Sequence, residues 1–142
     1  MKAALDNVHI VVTRPLKQAG ATCDKLQAAD AKVTLFPLLE IAPVAAPETV
    51  SSQLIDYHNY DCVIFISTNA VEYACSLGGG EFREALQHCQ VGAIGKRTAQ
   101  VLNSHHIRVD FLPAAGFTSE DFLALPELKT VNKHNFLIIR GE

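Results

Sequence analysis

Tyr60-Asp61-Cys62-Val63-Ile64-Phe65-Ile66-Ser67-Thr68-Asn69-Ala70-Val71-Glu72-Tyr73 holds a strand, a polar corner and a helix start in one short run. Residues 62–66 are unbroken apolar sequence, the pattern of a strand covered on both faces in a parallel sheet. Ser67, Thr68 and Asn69 follow at once. Ala70, Val71, Ala74 and Leu77 then recur at helical spacing. Asn69 and Glu72 stand in capping-box relation, which predicts a helix beginning at Asn69. Free N–H groups at a helix start attract anions, and hydroxyls beside them add donors. The same three polar residues also serve as ordinary caps, and local pattern alone favours that plainer role.

Outward from this unit the same alternation repeats. Toward the N-terminus, residues 8–12 read as a first buried strand, turned by Thr13, Arg14 and Pro15. Leu16, Ala19, Cys23 and Leu26 share one helix face, and Pro15 suits a first helical turn. Residues 32–36 form a second strand, so 8–36 is one β-α-β unit with an expected right-handed crossover. Pro37 and Pro43 bracket an extended stretch that cannot be a central strand, which reads as a linker carrying an edge strand. Residues 48–59 form a helix with Val50, Leu54, Ile55 and His58 roughly inward.

Toward the C-terminus, Gly78, Gly79 and Gly80 follow a helix, so they read as a C-cap and loop. Residues 82–88 are a short helix, 90–94 a strand and 96–103 a helix. The run Gly92-Ala93-Ile94-Gly95-Lys96-Arg97-Thr98 is superficially like a P-loop. That motif needs four residues between its glycines and a hydroxyl residue directly after Lys, so a nucleoside triphosphate site is rejected. A carboxylate at this helix start stays open. Residues 109–112 read as a strand stopped by Pro113, Thr118 with Asp121 as an N-cap pair, and 136–139 as the last strand.

Composition excludes several classes. The 142 residues carry 12 Lys and Arg against 15 Asp and Glu, a net charge of −3, with no basic cluster for nucleic acid. No apolar run reaches the ~20 residues of a membrane span, and the N-terminus has no signal-peptide pattern, so a cytoplasmic address is expected. Cys23, Cys62, Cys75 and Cys89 lack metal or redox spacing and fall within apolar patterns. His105 and His106 are adjacent rather than one turn apart, which denies them a shared helix face as ligands. Both chain ends carry an expectation. The last strand leads into Arg140, Gly141 and Glu142 with no covering helix after it, and about 36 residues are too few for an independent first domain. A longer protein cut short is therefore expected.

Seven pieces in this order and spacing resemble the uroporphyrinogen-III synthase family over essentially the whole chain. They are Val11-Val12-Thr13-Arg14-Pro15, Phe36-Pro37-Leu38-Leu39-Glu40-Ile41, Tyr60-Asp61, Phe65 to Val71, Val91 to Ala99, Pro113 with Thr118-Ser119-Glu120, and Leu137 to Glu142. Three positions depart from the family pattern: Ile66 where a small hydroxyl residue is common, Cys62 where Trp is frequent, and Asp30 where a helix-ending Gly is usual.

The resemblance implies an α/β fold: a parallel-sheet, flavodoxin-like lobe plus the first β-α-β unit of a second, incomplete lobe. Residues 1–36 would be the start of lobe one, 37–43 an extended linker, and 44–142 lobe two. The implied activity is cofactor-free and metal-free cyclisation of hydroxymethylbilane, with loss of water and inversion of the last pyrrole ring. The product is uroporphyrinogen III, in tetrapyrrole and haem biosynthesis. The implied partner is this linear tetrapyrrole with its carboxylate side chains, not nucleic acid or membrane. The intact protein would be a monomer, with an exchange dimer as the alternative for a cut piece, and the piece alone would be inactive. Implied carboxylate contacts are Ser67, Thr68 and Asn69, then Gly95, Lys96 and Thr98, then Thr118 and Ser119, with Thr13 and Arg14 facing them from the other lobe. Arg14 has an equal alternative, pairing with a carboxylate inside its own lobe. No residue reads as a general acid. Tyr60 and Tyr73 read as packing residues. The rival reading is a non-catalytic anion-binding or regulatory module that shares the lobe.

Overall fold

The computed structural model describes residues 4–56 and 59–141, and the chain divides into two compact units, Met1–Pro43 and Val44–Glu142. All strand pairs among the described residues are parallel. No helix among them is long and apolar enough to cross a membrane.

In the first unit β1 (His9–Val12) and β2 (Lys32–Leu35) pair in register from His9 with Lys32 to Val12 with Leu35, joined by α1 (Leu16–Ala28). Pro15 occupies the N-cap position of α1. Past its end, Asp30 takes a left-handed conformation (φ 63°), the position where a glycine is usual. The expected burial of β1 is not found: only Val12 is buried, and Val11 is 54 % exposed. Two strands and one helix leave apolar positions of this sheet uncovered. The expected edge strand in 37–43 is also absent. Pro37 and Pro43 have no N–H to give a ladder, and Leu38 N–H donates to the carbonyl of Thr13, just past β1, at 3.1 Å.

The second unit is built on the order β4-β3-β5, with β3 (Cys62–Phe65) between β4 (Gln90–Ala93) and β5 (Phe136–Ile139). All four residues of β3 are buried. Its alternation explains why. Val63 and Phe65 join the core formed with α2 (Pro47–Ile55), α3 (Thr68–Ala85) and α4 (Lys96–Ser104), where Phe65 meets Phe82 edge-on with ring centroids 6.3 Å apart. Cys62 and Ile64 face the other way, onto Phe111 and onto Phe122 of α5 (Ser119–Leu123), with Leu125 and Leu128 beside them. Both faces of β3 therefore need apolar side chains. Phe122 can seat here because β4 has Gly92: a Cβ there would lie 2.6 Å from the Phe122 ring.

Several local expectations are corrected. The α3 cap is Ser67, whose Oγ accepts the Ala70 N–H at 3.2 Å, so the helix starts before Asn69. The three glycines interrupt this helix as expected, but no loop follows. Gly79, at φ 57° and ψ −138°, is non-helical and separates two helical segments, the second of which runs to Ala85 rather than to 88. Residues 109–112 form no strand but a single parallel bridge between Phe111 and Gly92. The diversion comes from Asp110, whose carboxylate accepts the Val91 N–H at 2.9 Å in place of a ladder partner. α2 begins at Pro47 and ends at Ile55; His58 lies outside the described residues, as does the side chain of Ile55.

Candidate functional site

Parallel pairing fixes which residues leave the second unit's sheet together. Phe65 is level with Ala93 of β4 and with Ile139 of β5. Past that level the chain is still tied across the sheet, by Ile94 N–H to the Phe65 carbonyl and Ile66 N–H to the Ile139 carbonyl, both 3.3 Å. The corners at 66–69, 94–96 and 140 therefore open at one edge, the carboxyl ends of the strands, where α/β sheets place their ligands.

The first corner holds Ser67, Thr68 and Asn69, all half-buried. The Ser67 hydroxyl accepts a helix N–H and keeps its own O–H to donate outward. At the second corner Gly95 is the N-cap of α4 and offers no side chain to the first N–H groups. Lys96 and Arg97 are exposed in that first turn, which has no acidic residue. Cations at a helix N-terminus oppose its dipole, so helix stability does not account for them. Thr98 is placed differently: only 5 % exposed, it lies in the same helix as buried Ala99 and Leu102.

Thr118 and Ser119 reach this neighbourhood through the loop after Phe111. Thr118 and Asp121 form a full capping box. The Thr118 N–H donates to Asp121 Oδ2 at 2.9 Å and the Thr118 hydroxyl donates to the same oxygen at 2.5 Å. These bonds, the side-chain one first, hold the Asp121 carboxyl below its ordinary range. The Thr118 donor is thus already committed, leaving exposed Ser119 as the freer hydroxyl. Phe117, which sequence reasoning did not single out, lies under Lys96, with Nζ 5.0 Å from the ring centroid. Arg140 was missed too. It follows β5 directly, in the same relation as Ser67 and Gly95 to their strands, and that position was its signal.

Thr13 and Arg14 belong to the first unit, both exposed after β1. Arg14 Nη1 donates weakly to Thr22 Oγ1 at 3.4 Å and forms no ion pair among the described residues. Tyr60 and Tyr73 are half-buried. His105 caps the end of α4 and lies 3.1 Å from Glu72 Oε2. No cluster of three His, Cys, Asp or Glu residues able to hold a metal occurs among the described residues. A cavity of about 260 Å³, lined in part by Arg83, His106 and Arg108, follows the ends of α3 and α4 and contains none of the predicted contacts. Cations there answer the negative helix ends.

Comparison with known proteins agrees with this architecture. A family model described as Uroporphyrinogen-III synthase HemD matches residues 21–142. A putative uroporphyrinogen-III synthase of Methanothermobacter thermautotrophicus is 32 % identical over 117 residues, covering 80 % of this chain and 44 % of the relative. A uroporphyrinogen-III synthase of Chlorobaculum parvum is 27 % identical over 136 residues, covering 93 % and 52 %. The chain spans about half the length of these curated relatives. The crystal structure of uroporphyrinogen III synthase from Thermus thermophilus superposes with a TM-score of 0.57 at 16 % identity, over 93 % of this chain and 60 % of that one, which shows a shared fold. With parallel sheets, strand-end corners and a family match over most of its length, the chain belongs to the uroporphyrinogen-III synthase family.

Proposed function

We propose that this chain contributes to the uroporphyrinogen-III synthase reaction: closure of hydroxymethylbilane with loss of water and inversion of the last pyrrole ring. The observation that carries the proposal is the family match over residues 21–142. On this reading the bilane loses its hydroxyl as water and becomes an electrophilic azafulvene. The last pyrrole attacks through a substituted carbon, forms a spiro intermediate, and is released inverted before the ring closes. No cofactor enters. Uncatalysed closure gives the un-inverted isomer, so the protein's task is to hold a flexible, eight-carboxylate chain in the productive shape.

The corners of the second unit suit that task. Ser67 has a free donor. Gly95 exposes backbone N–H groups, and Lys96 adds a charge beside them. Ser119 and Arg140 extend the same edge. Thr13 and Arg14 of the first unit are further proposed contacts. Many contacts sharing the load make each one modest, and the chain by itself is proposed to be inactive.

The test is product-isomer analysis. Hydroxymethylbilane is generated in the presence of this chain, or of a chimera that appends the remaining half of a full-length relative after Glu142. The products are oxidised, and type I and type III porphyrins separated. Type III from the chimera, and only type I with the chain alone, is expected. Only type I from a folded chimera contradicts the synthase reading and favours a binding module.

A further inference from the structure

The edge of the second unit carries a feature that carboxylate binding alone does not use. Lys96 stands in the first turn of α4 with its Nζ 5.0 Å from the centroid of the Phe117 ring. The ring is half-buried, and it comes from the loop between Phe111 and α5 rather than from the α4 corner itself. That loop turns at Gly116 (φ 83°) just before Phe117, and the capping box of Thr118 and Asp121 fixes it just after. Phe117 itself has φ 60°, a conformation a bulky aromatic residue rarely takes. A cation over an aromatic face is attracted to the ring quadrupole. The ammonium is therefore held beside a flat apolar face, and a ligand reaching Lys96 meets both.

We propose that Phe117 is a positioning and specificity residue: it holds Lys96 for a substrate carboxylate, and its ring takes the aromatic ring that bears that carboxylate. The inference rests on the proposed function and deepens it. The corner then selects an acid carried on a flat aromatic ring, such as a pyrrole, over an acid on an aliphatic chain. The two halves of the recognition are separable, because charge resides on Lys96 and the flat face on Phe117.

Binding is measured by titration calorimetry on the full chain with two probes, an octacarboxylate porphyrin and aliphatic butanetetracarboxylate. Phe117→Leu keeps apolar bulk and removes the aromatic face; Phe117→Tyr restores it. Phe117→Leu is expected to weaken the porphyrin about two- to tenfold, the range of an aromatic pair, and to weaken the aliphatic acid by less, since that probe loses only the positioning of Lys96. Phe117→Tyr is expected to restore wild-type affinity. In proton NMR spectra the Lys96 ε-methylene is expected upfield in the wild type and in Phe117→Tyr, and at its ordinary position in Phe117→Leu. Porphyrin affinity unaltered by Phe117→Leu, or both ligands weakened equally, would overturn the inference. Lys96→Met separates the two claims. Weaker binding of both probes places the corner in the binding site whatever Phe117 does. No effect on either probe would sink the proposed site, and the inference with it.

Discussion

β1 and β3 are near twins in sequence and opposites in surroundings. His9-Ile10-Val11-Val12 and Cys62-Val63-Ile64-Phe65 are both short apolar runs at the start of a β-α unit. β3 is buried throughout because it has a strand on each edge and apolar side chains on each face. Among the described residues β1 has one strand beside it, and of its own residues only Val12 is buried. Apolar composition states what a strand needs; its neighbours state what it has.

Thiol chemistry separates the two units most widely. Burial, and then the nearby charge of Asp110, pushes the Cys62 thiol from 9.0 to about 12. That makes its reactive thiolate form scarce in the folded state. Cys75 and Cys89 are raised as well, burial again first. Cys23, in the first unit, is half-exposed. Alkylation followed by mass spectrometry should label Cys23 first and the three buried thiols only as the second unit opens. Cys62 labelling as fast as Cys23 would show that the second unit's core is loose.

Truncation is the next largest effect. Phe82→Ala removes a buried ring packed on Phe65 and should cost about 3–5 kcal/mol. Val11→Ala, on the exposed side of β1, should stay within about 0.5 kcal/mol. Urea unfolding monitored by circular dichroism measures both, and equal losses would remove the contrast between the units.

How far this could be read beforehand depends on what each residue answers to. β5 and the Thr118–Asp121 cap were legible to the residue, because turn chemistry and a short apolar run left no alternative. The α3 cap was not. Ser67, Thr68 and Asn69 can all cap, and the choice falls to backbone conformation: Ser67 is extended, at φ −153° and ψ 162°. Nor was the immediate restart of the helix past Gly79, since three glycines ordinarily lead into a loop, whereas here Phe82 packs back against Gly78. The strand expected at 109–112 failed because Asp110 competes for the β4 backbone. At the site, hydroxyls and glycines directly after strands could be seen. Phe117 could not, because its meeting with Lys96 is a tertiary contact.

Smaller effects sharpen the account of the corners. Ser67→Ala should cost about 1 kcal/mol as a lost cap, and Asn69→Ala less; thermal unfolding of both variants decides whether Ser67 is the cap. The Asp121 effect is the smallest. Its folded pKa is depressed, so its contribution is present above the unfolded value and lost as pH falls through the folded one. Amide protection at Thr118 and Asp121 should therefore persist below the ordinary carboxylate range and then fail. Asp121→Asn should abolish that acid step, and an unchanged step would assign it to another group.

The most direct test of the central claim uses the chain as it stands. Amide shifts are followed by NMR while an octacarboxylate porphyrin is added. Saturable shifts are expected at Ser67 to Asn69, Gly95 to Lys96 and Thr118 to Ser119, the corners at the carboxyl edge of the second unit's sheet. Shifts confined to the cavity around Arg83, His106 and Arg108, or none at all, would contradict a substrate site built on those corners.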